Sequence, residues 1–222
     1  MRRLPAVRVG VLVVGALVCA GVAEAQTGAS ADPGKGYAEI VAQSSFGNVT
    51  SQNYGGEFGY TVMPNLQVFA EFGHTRNVAT SEIAAAAQTI ASAVAQTADN
   101  VGYSVKQPMT FGVGGVKFLL PLSGQRLLPY AMAGFGAAHV TQDARFTVGG
   151  TDVTSNMAQF GVVLGSDLSG SFTKAMFTLG GGVTYPVWQS MILDFQFRYG
   201  HVFASGESIN SSRAGLGVGL RF

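Results

Sequence analysis

Three residues of the types used in nucleophilic catalysis occur close together near the end of the chain: His201, Ser205 and Glu207. A histidine beside a hydroxyl and a carboxylate can activate the hydroxyl as a nucleophile. Here the three run into a polar segment that reads as a loop, and Val202 and Phe203 directly follow the histidine. We therefore interpret His201, like His74 and His139, as an amphipathic residue near a strand end, and we predict no catalytic residue.

Cofactor and metal chemistry have no sequence signature either. The three histidines are scattered and no carboxylates cluster with them, so no metal site is predicted. The segment GVGGVKF at 112–118 lacks the strand–loop–helix setting of a phosphate-binding loop. The one cysteine, Cys19, lies in the N-terminal leader described below, which leaves the rest of the chain without thiol chemistry. We predict no cofactor.

Ionisable residues instead follow an alternating pattern. Eight of them lie on the polar phase of segments in which every second residue is apolar: Glu39, Glu57, Glu71, Lys117, Asp194, Arg198, Arg213 and Arg221. Acids and bases are both present, and an unpaired charge in a dry interior would cost several kcal/mol. This pattern predicts a polar network of ion pairs inside the protein. The alternative is a narrow, water-filled pathway lined by the same charges.

The N-terminal 25 residues read as a secretory signal peptide. A basic stretch with Arg2, Arg3 and Arg8 precedes an apolar run at 11–22 and the cleavage signal Ala23-Glu24-Ala25. Without the leader, 10 basic and 11 acidic residues remain, a net charge of −1, so nucleic-acid binding is not expected. Charged residues form only 11% of the chain. For a secreted chain this scarcity indicates an exterior that faces lipid.

Alternation of period two predicts eight strands: 37–46, 54–63, 66–75, 110–120, 129–148, 174–187, 189–203 and 211–222. A phase slip at Gly114-Gly115 predicts a β-bulge. Short turns alternate with longer connections at 47–53, 77–101, 149–171 and 204–211, as in an outer-membrane barrel. Helical spacing predicts short helices at 81–99 and 155–165 within two of these loops. The domains are then a signal peptide at 1–25, a periplasmic lead-in at 26–36 and a barrel at 37–222.

The last strand suggests which face is inside. Ala214, Leu216, Val218, Leu220 and Phe222 share one face, and glycines dominate the other. An eight-stranded barrel has an interior just wide enough for side chains to fill. Glycines on the inner face would leave room for longer neighbours. A soluble lipocalin-like barrel would place the apolar face inward, but its outer face would then carry many more charges. The predicted fold is all-β: an eight-stranded antiparallel transmembrane β-barrel with short helices in two extracellular loops.

The chain resembles the outer membrane protein β-barrel family, the OmpA/OmpX-like eight-stranded barrels. The resemblance is carried by the leader and by residues 54–73, 110–122, 180–187, 195–203 and 215–222. It implies that Phe222, with Leu220 and Val218 in register, is the signal read by the barrel assembly machinery. It also implies a bacterial outer-membrane location and contact with outer-membrane lipid. Eight-stranded lipid A deacylases belong to such barrels, but the His-x-Ser grouping expected of them is absent here.

The expected role is therefore non-enzymatic. We predict a structural or surface-interaction barrel whose lumen is plugged by polar side chains and whose loops 77–101 and 149–171 meet an unknown extracellular partner. The first alternative is a narrow pore or passive transport of a small or apolar solute. The second is a lipid-modifying enzyme at the membrane rim, which would depend on His201.

Overall fold

The structure, a computed structural model, describes residues 35–122, 126–165, 168–204 and 208–222. Within them lie ten strands and two helices. The strands are β1 (Gly36–Phe46), β2 (Ser51–Met63), β3 (Leu66–Thr75), β4 (Val101–Lys106), β5 (Met109–Leu119), β6 (Leu128–Val148), β7 (Thr151–Asp152), β8 (Ser169–Pro186), β9 (Met191–Val202) and β10 (Ile209–Arg221). The α-helix α1 spans Ser81–Val94, and a 3₁₀ helix spans Thr154–Phe160. The predicted signal peptide and most of the lead-in lie outside the described residues.

Eight strands close into an antiparallel barrel. Their order is β1-β2-β3-β5-β6-β8-β9-β10, and β10 returns to pair with β1 along ten residues, from Tyr37↔Arg221 to Phe46↔Ser212. Closure gives every barrel strand a partner on both sides, which removes the unpaired edges that a transmembrane sheet cannot expose to lipid. The predicted eight-stranded transmembrane barrel is confirmed.

The two ends of the barrel differ. The connections at 64–65, 120–127 and 187–190, together with Lys35 and Phe222, lie at one end, here called the turn end. The connections at 47–50, 76–100, 149–168 and 203–208 lie at the other, the loop end. The first of these is only four residues, shorter than predicted, because β2 begins at Ser51 and its polar residues pair with β1.

The side chains of the barrel strands alternate between a buried inner face and an exposed apolar outer face. The predicted bulge at Gly114-Gly115 is wrong: β5 pairs in constant register with both β3 and β6. Phe111 and Val113 simply point inward, whereas Val116 and Phe118 point outward. The lumen is apolar on this wall, so these apolar residues of β5 lie on the inner face in its first half and on the outer face in its second half. The backbone has no irregularity at this change.

A small second unit, here called the cap, stands on the loop end. β4 continues β5 in the same register along β6, separated from it by Gln107 and Pro108. The sequence prediction did not include β4, although Val101, Tyr103 and Val105 alternate with Gly102, Ser104 and Lys106. β6 and β8 extend past their neighbours, and α1 packs on the resulting sheet. The cap's buried apolar residues are Ala79, Ile83, Ala87, Ala91, Val94, Ala144, Phe146, Met157 and Leu168.

The two helices differ from their predicted lengths. α1 is capped by Thr80, whose hydroxyl accepts from the Ile83 amide, and it ends at Val94 rather than at 99. The second segment is a 3₁₀ helix that stops at Gly161, which has a φ of 74°, rather than an α-helix ending at Gly165. Glycine adopts this left-handed conformation at little cost. No helix in the described ranges has the length and apolar character needed to cross a membrane.

Candidate functional site

The centre of the lumen holds a chain of five ionised residues in which bases and acids alternate. Lys117 Nζ lies 2.6 Å from Glu57 Oε1, and Arg198 Nη1 lies 2.5 Å from Glu57 Oε2. The same Arg198 nitrogen lies 2.8 Å from Glu71 Oε2, and Arg213 Nη1 donates to Glu71 Oε1 at 2.8 Å. Five strands contribute one member each, so the ion pairs cross-link the interior of the barrel.

Burial of this chain is nearly complete. Glu57, Arg198 and Arg213 are 0% exposed, and Glu71 and Lys117 are 2% exposed. The Arg198 guanidinium lies between its two carboxylates at ion-pair distances, so attraction between opposite charges holds it in place. In so dry a place, removal of one partner leaves the other charge uncompensated.

Polar side chains surround the ion pairs. Tyr37 and Tyr130 donate from their hydroxyls to Glu57 and Asp194, at 2.5 and 2.6 Å. Their rings lie 4.4 and 4.2 Å from the Lys117 ammonium, an arrangement that favours a cation. Gln196 donates to both Asp194 and Glu39. The alternation pattern did not identify these two tyrosines or the glutamine as members of the network.

The predicted network residues thus fall into three groups. Glu57, Glu71, Lys117, Arg198 and Arg213 form the continuous ion-pair chain. Glu39 and Asp194 are bridged by Gln196, and Asp194 also accepts from Tyr130, whose ring lies against the Lys117 ammonium. Arg221 lies at the turn end, where its Nε donates to the Gln189 carbonyl oxygen. It lines a cavity of about 20 Å³ together with Tyr37, Glu39 and Lys117.

An apolar cluster fills the rest of the lumen. It lines the β5–β6 wall and extends to the loop end through Met109, Val140, Met176, Val202 and Ile209, all 2% exposed or less. Arg213 lies 4.3 Å above the Phe111 ring, where the ion pairs meet the apolar cluster. The lumen is therefore packed with side chains from the turn end to the loop end, partly by apolar residues rather than by polar residues alone.

Inward glycines make this packing possible. Tyr37 lies directly opposite Gly59, Phe111 opposite Gly73, and Tyr130 opposite Gly182. A Cβ at Gly59 would lie 2.0 Å from the Tyr37 ring, and one at Gly73 would lie 2.4 Å from the Phe111 ring. In β10, a Cβ at Gly217 would lie 2.8 Å from a Glu39 carboxylate oxygen. Each glycine leaves the space that a long side chain of a neighbouring strand occupies.

The histidines lie on the outer face near the loop end. The Nδ1 atoms of His74, His139 and His201 lie within hydrogen-bond distance of Thr110, Thr173 and Asn210, respectively. The His201 ring also contacts Phe177 and Phe203. Ser205 and Glu207, the other members of the possible triad, lie outside the described residues. Among the residues that are described, no three potential metal-ligating side chains come together.

Polar residues at this level mark the edge of the exposed apolar belt. Paired positions across β2, β3, β5, β6 and β8 form the lateral row Tyr54, His74, Thr110, His139 and Thr173. Below the row, outward positions carry exposed apolar residues such as Phe58, Phe72, Phe135, Leu179 and Phe195. Above it, in the cap, the Thr154 side chain and then its backbone amide, which donates to Asp152 Oδ1, lower the pKa of the Asp152 carboxyl group.

A closed antiparallel barrel with an apolar exterior, a packed interior and both described ends on one side defines an integral outer-membrane barrel. A family model described as "Outer membrane protein beta-barrel domain" matches residues 10–222. The chain belongs to this family, as the resemblance implied. No curated protein sequence matches the chain significantly.

Several solved structures are similar to this chain. Neisserial surface protein A is 14% identical, with a TM-score of 0.53, and the match covers 84% of this chain and 96% of that one. A major outer membrane protein of Thermus thermophilus is 11% identical, with a TM-score of 0.51 and coverage of 84% and 99%. The N-terminal barrel of Pseudomonas aeruginosa OprF is 18% identical, with a TM-score of 0.44 and coverage of 87% and 100%. At these identities the first two matches show a shared fold.

Proposed function

We propose that this protein is a non-enzymatic surface-interaction barrel of the bacterial outer membrane, with the cap outside the cell. The observation that carries the proposal is the contrast between the two ends. The lumen is filled with buried side chains, whereas the loops at 76–100 and 149–168 build a separate apolar core above the membrane belt. A barrel that folds its long loops into a compact unit presents a defined surface to a partner.

The surface of the cap suits recognition more than catalysis. α1 turns Ile83, Ala87, Ala91 and Val94 inward and exposes small and uncharged polar residues such as Gln88 and Ser92. At the other side of the cap, Val163 is 87% exposed beside an open groove lined by Arg145, Asp152 and Met157. Val162 and Leu164 also line this groove, so it carries a contiguous apolar patch beside charged groups, as protein-binding surfaces do. The partner at these loops is an extracellular macromolecule.

Assembly and location complete the proposal. Phe222 is 71% exposed at the turn end, and its backbone bonds with Gly36 close the barrel. We keep it, with Val218 and Leu220, as the assembly signal that the family resemblance implies. All three side chains face outward at the C-terminal end of the chain, where β10 pairs with β1. The leader would direct the chain across the inner membrane.

An epitope insertion experiment tests location and orientation. A short tag placed after Gln96, in the exposed loop that follows α1, should be detected by antibody on intact Gram-negative cells expressing the full chain. The matched tag between Pro64 and Asn65, at the turn end, should be detected only after the outer membrane is permeabilised. Detection of the second tag, but not the first, on intact cells would reverse the proposed orientation.

Conductance separates the closed barrel from the pore alternative. Refolded protein in a planar lipid bilayer should give no discrete current steps above the bare membrane, because side chains fill the lumen. The same preparation left unfolded is the control, since a contaminating porin would conduct in both samples. Reproducible steps seen with the refolded barrel alone would support passive transport instead.

A further inference from the structure

A polar groove lies on the outer wall of the barrel at the loop end. It has a volume of about 410 Å³ and is open to the side. Its lining residues are Ser44, Thr50, Ser51, Gln52, Arg76, Asn77 and Lys106. The set contains two bases, three hydroxyls and two amides, and it contains no acid. Such a lining favours an anion that carries several hydrogen-bond acceptors.

Neither base in this groove has an acidic partner within the described part of the chain. Arg76 donates one hydrogen bond, from Nη1 to Gln52 Oε1 at 2.8 Å, which orients the guanidinium and leaves its remaining donors available. Lys106 is exposed and makes no ion pair with a described residue. Arg145, an exposed arginine elsewhere in the cap, instead pairs with Asp143 at 3.1 Å. Asp143 lies across from Lys106 on β6 but pairs with Arg145, so neither cation of the groove has an ion-pair partner among the described residues.

The height of the groove indicates what could reach it. On β2, Gln52 is the next outward-facing residue beyond Tyr54 toward the loop end. On the neighbouring strand β1, Ser44 is likewise the next outward-facing residue beyond Ala42. Tyr54 and Phe46, which flank this level, are 53% and 46% exposed on the outer face. The groove therefore opens sideways just above the apolar belt, where the headgroups of the surrounding lipids lie.

We propose that this groove binds a phosphate group on the headgroup of an outer-leaflet lipid. A guanidinium recognises phosphate with paired donors, an ammonium adds a point charge, and hydroxyls can donate to the remaining oxygens. The source is a lipid rather than a free phosphate compound because the groove faces the headgroup layer and not the lumen. The proposal rests on the orientation proposed above, which places the loop end in the outer leaflet.

Binding to purified protein tests this independently of cellular location. The full chain, refolded in detergent, would be titrated with lipid A carrying its two phosphates and with the fully dephosphorylated form, and complexes would be counted by native mass spectrometry. The double variant Arg76→Gln/Lys106→Gln should bind the phosphorylated lipid about tenfold to a hundredfold more weakly, because two charge-assisted contacts are lost. Its affinity for the dephosphorylated lipid should not change.

The variant Lys35→Gln/Lys174→Gln is the matched control, because it removes the same net charge outside the groove and leaves intact the Arg145–Asp143 pair that lies across from Lys106. It should bind the phosphorylated lipid as the wild type does. An equal loss in both double variants would overturn the proposal in favour of general electrostatic attraction. Competition by inorganic phosphate at concentrations similar to those of the lipid would overturn the lipid as the source. Each result is distinguishable from a failure of the tag experiment, which reports orientation and not binding.

Discussion

Replacing Arg198 by Met should lower the free energy of unfolding of the barrel by about 3–5 kcal/mol. The Arg198 guanidinium lies against both Glu57 and Glu71, and all three side chains are almost inaccessible to solvent. Methionine keeps much of the side-chain volume but leaves two carboxylates without this shared cation. Each carboxylate then keeps a single cation, Lys117 for Glu57 and Arg213 for Glu71. Breaking ion pairs in a buried site costs far more than losing an exposed ion pair.

Urea unfolding of protein refolded in lipid vesicles would measure this effect, with Trp188, the single tryptophan of the chain, as a fluorescence probe. Arg145→Met is the control, because Arg145 is an exposed member of an ion pair and its loss should change stability by less than about 1 kcal/mol. Equal stability of Arg198→Met and the wild type would show that the ion-pair chain does not hold the lumen together.

The alternation of the sequence was sufficient to place these charges inside but not to pair them. Glu57, Glu71 and Arg198 each lie on the glycine-containing face of a strand, and that face is inward in the structure. Which acid meets which base depends on the register and tilt of strands that are far apart in sequence, such as β2 and β9. Alternation carries no information about that register. Arg221 shares the inward phase and still lies apart, because it is close to the turn end.

Alternation also gave a wrong prediction where the lining of the lumen changes from polar to apolar. The Gly114-Gly115 slip looked like a bulge because apolar residues were expected only on the lipid side. The barrel instead uses Phe111 and Val113 as an apolar plug on the inner face. Similarly, nothing in the sequence near the start of β1 shows that Tyr37 belongs to the polar network. Its hydroxyl needs an acceptor when buried, and only the three-dimensional structure shows that Glu57 provides one.

In the cap, the sequence predicted the helix α1 but not the short strand β4. Helical spacing located α1, because a seam of apolar residues on one face is a local property. β4 was not found, because its pairing with β6 depends on Lys106↔Asp143 continuing the register of Met109↔Val140 across Pro108. Proline interrupts the ladder and breaks one strand into two short pieces. Its six residues do alternate, but so short a run was read as part of the long loop, and its pairing with β6 is what defines it as a strand.

The glycines of the inner face give the second large prediction. Gly59→Val should lower the free energy of unfolding by about 3 kcal/mol, because the new side chain would occupy the position of the Tyr37 ring. Overpacking alone costs about 1–3 kcal/mol. Moving the ring would also break its hydrogen bond to the buried Glu57 and withdraw it from the Lys117 ammonium.

The control is Gly114→Val, on the lipid-facing side of β5, where a Cβ would meet only a backbone oxygen at an ordinary 3.5 Å. It should leave stability unchanged or slightly raised, since valine favours strands and removes the backbone freedom of glycine. A double-mutant cycle isolates the contact: in a Tyr37→Leu background, Gly59→Val should cost clearly less than it does in the wild type. Equal costs in both backgrounds would mean that Gly59 does not make room for Tyr37. A reduced cost would show that the Tyr37 side chain opposite this position requires glycine there. The lumen is then a packed core in which aromatic residues occupy the space left by neighbouring glycines.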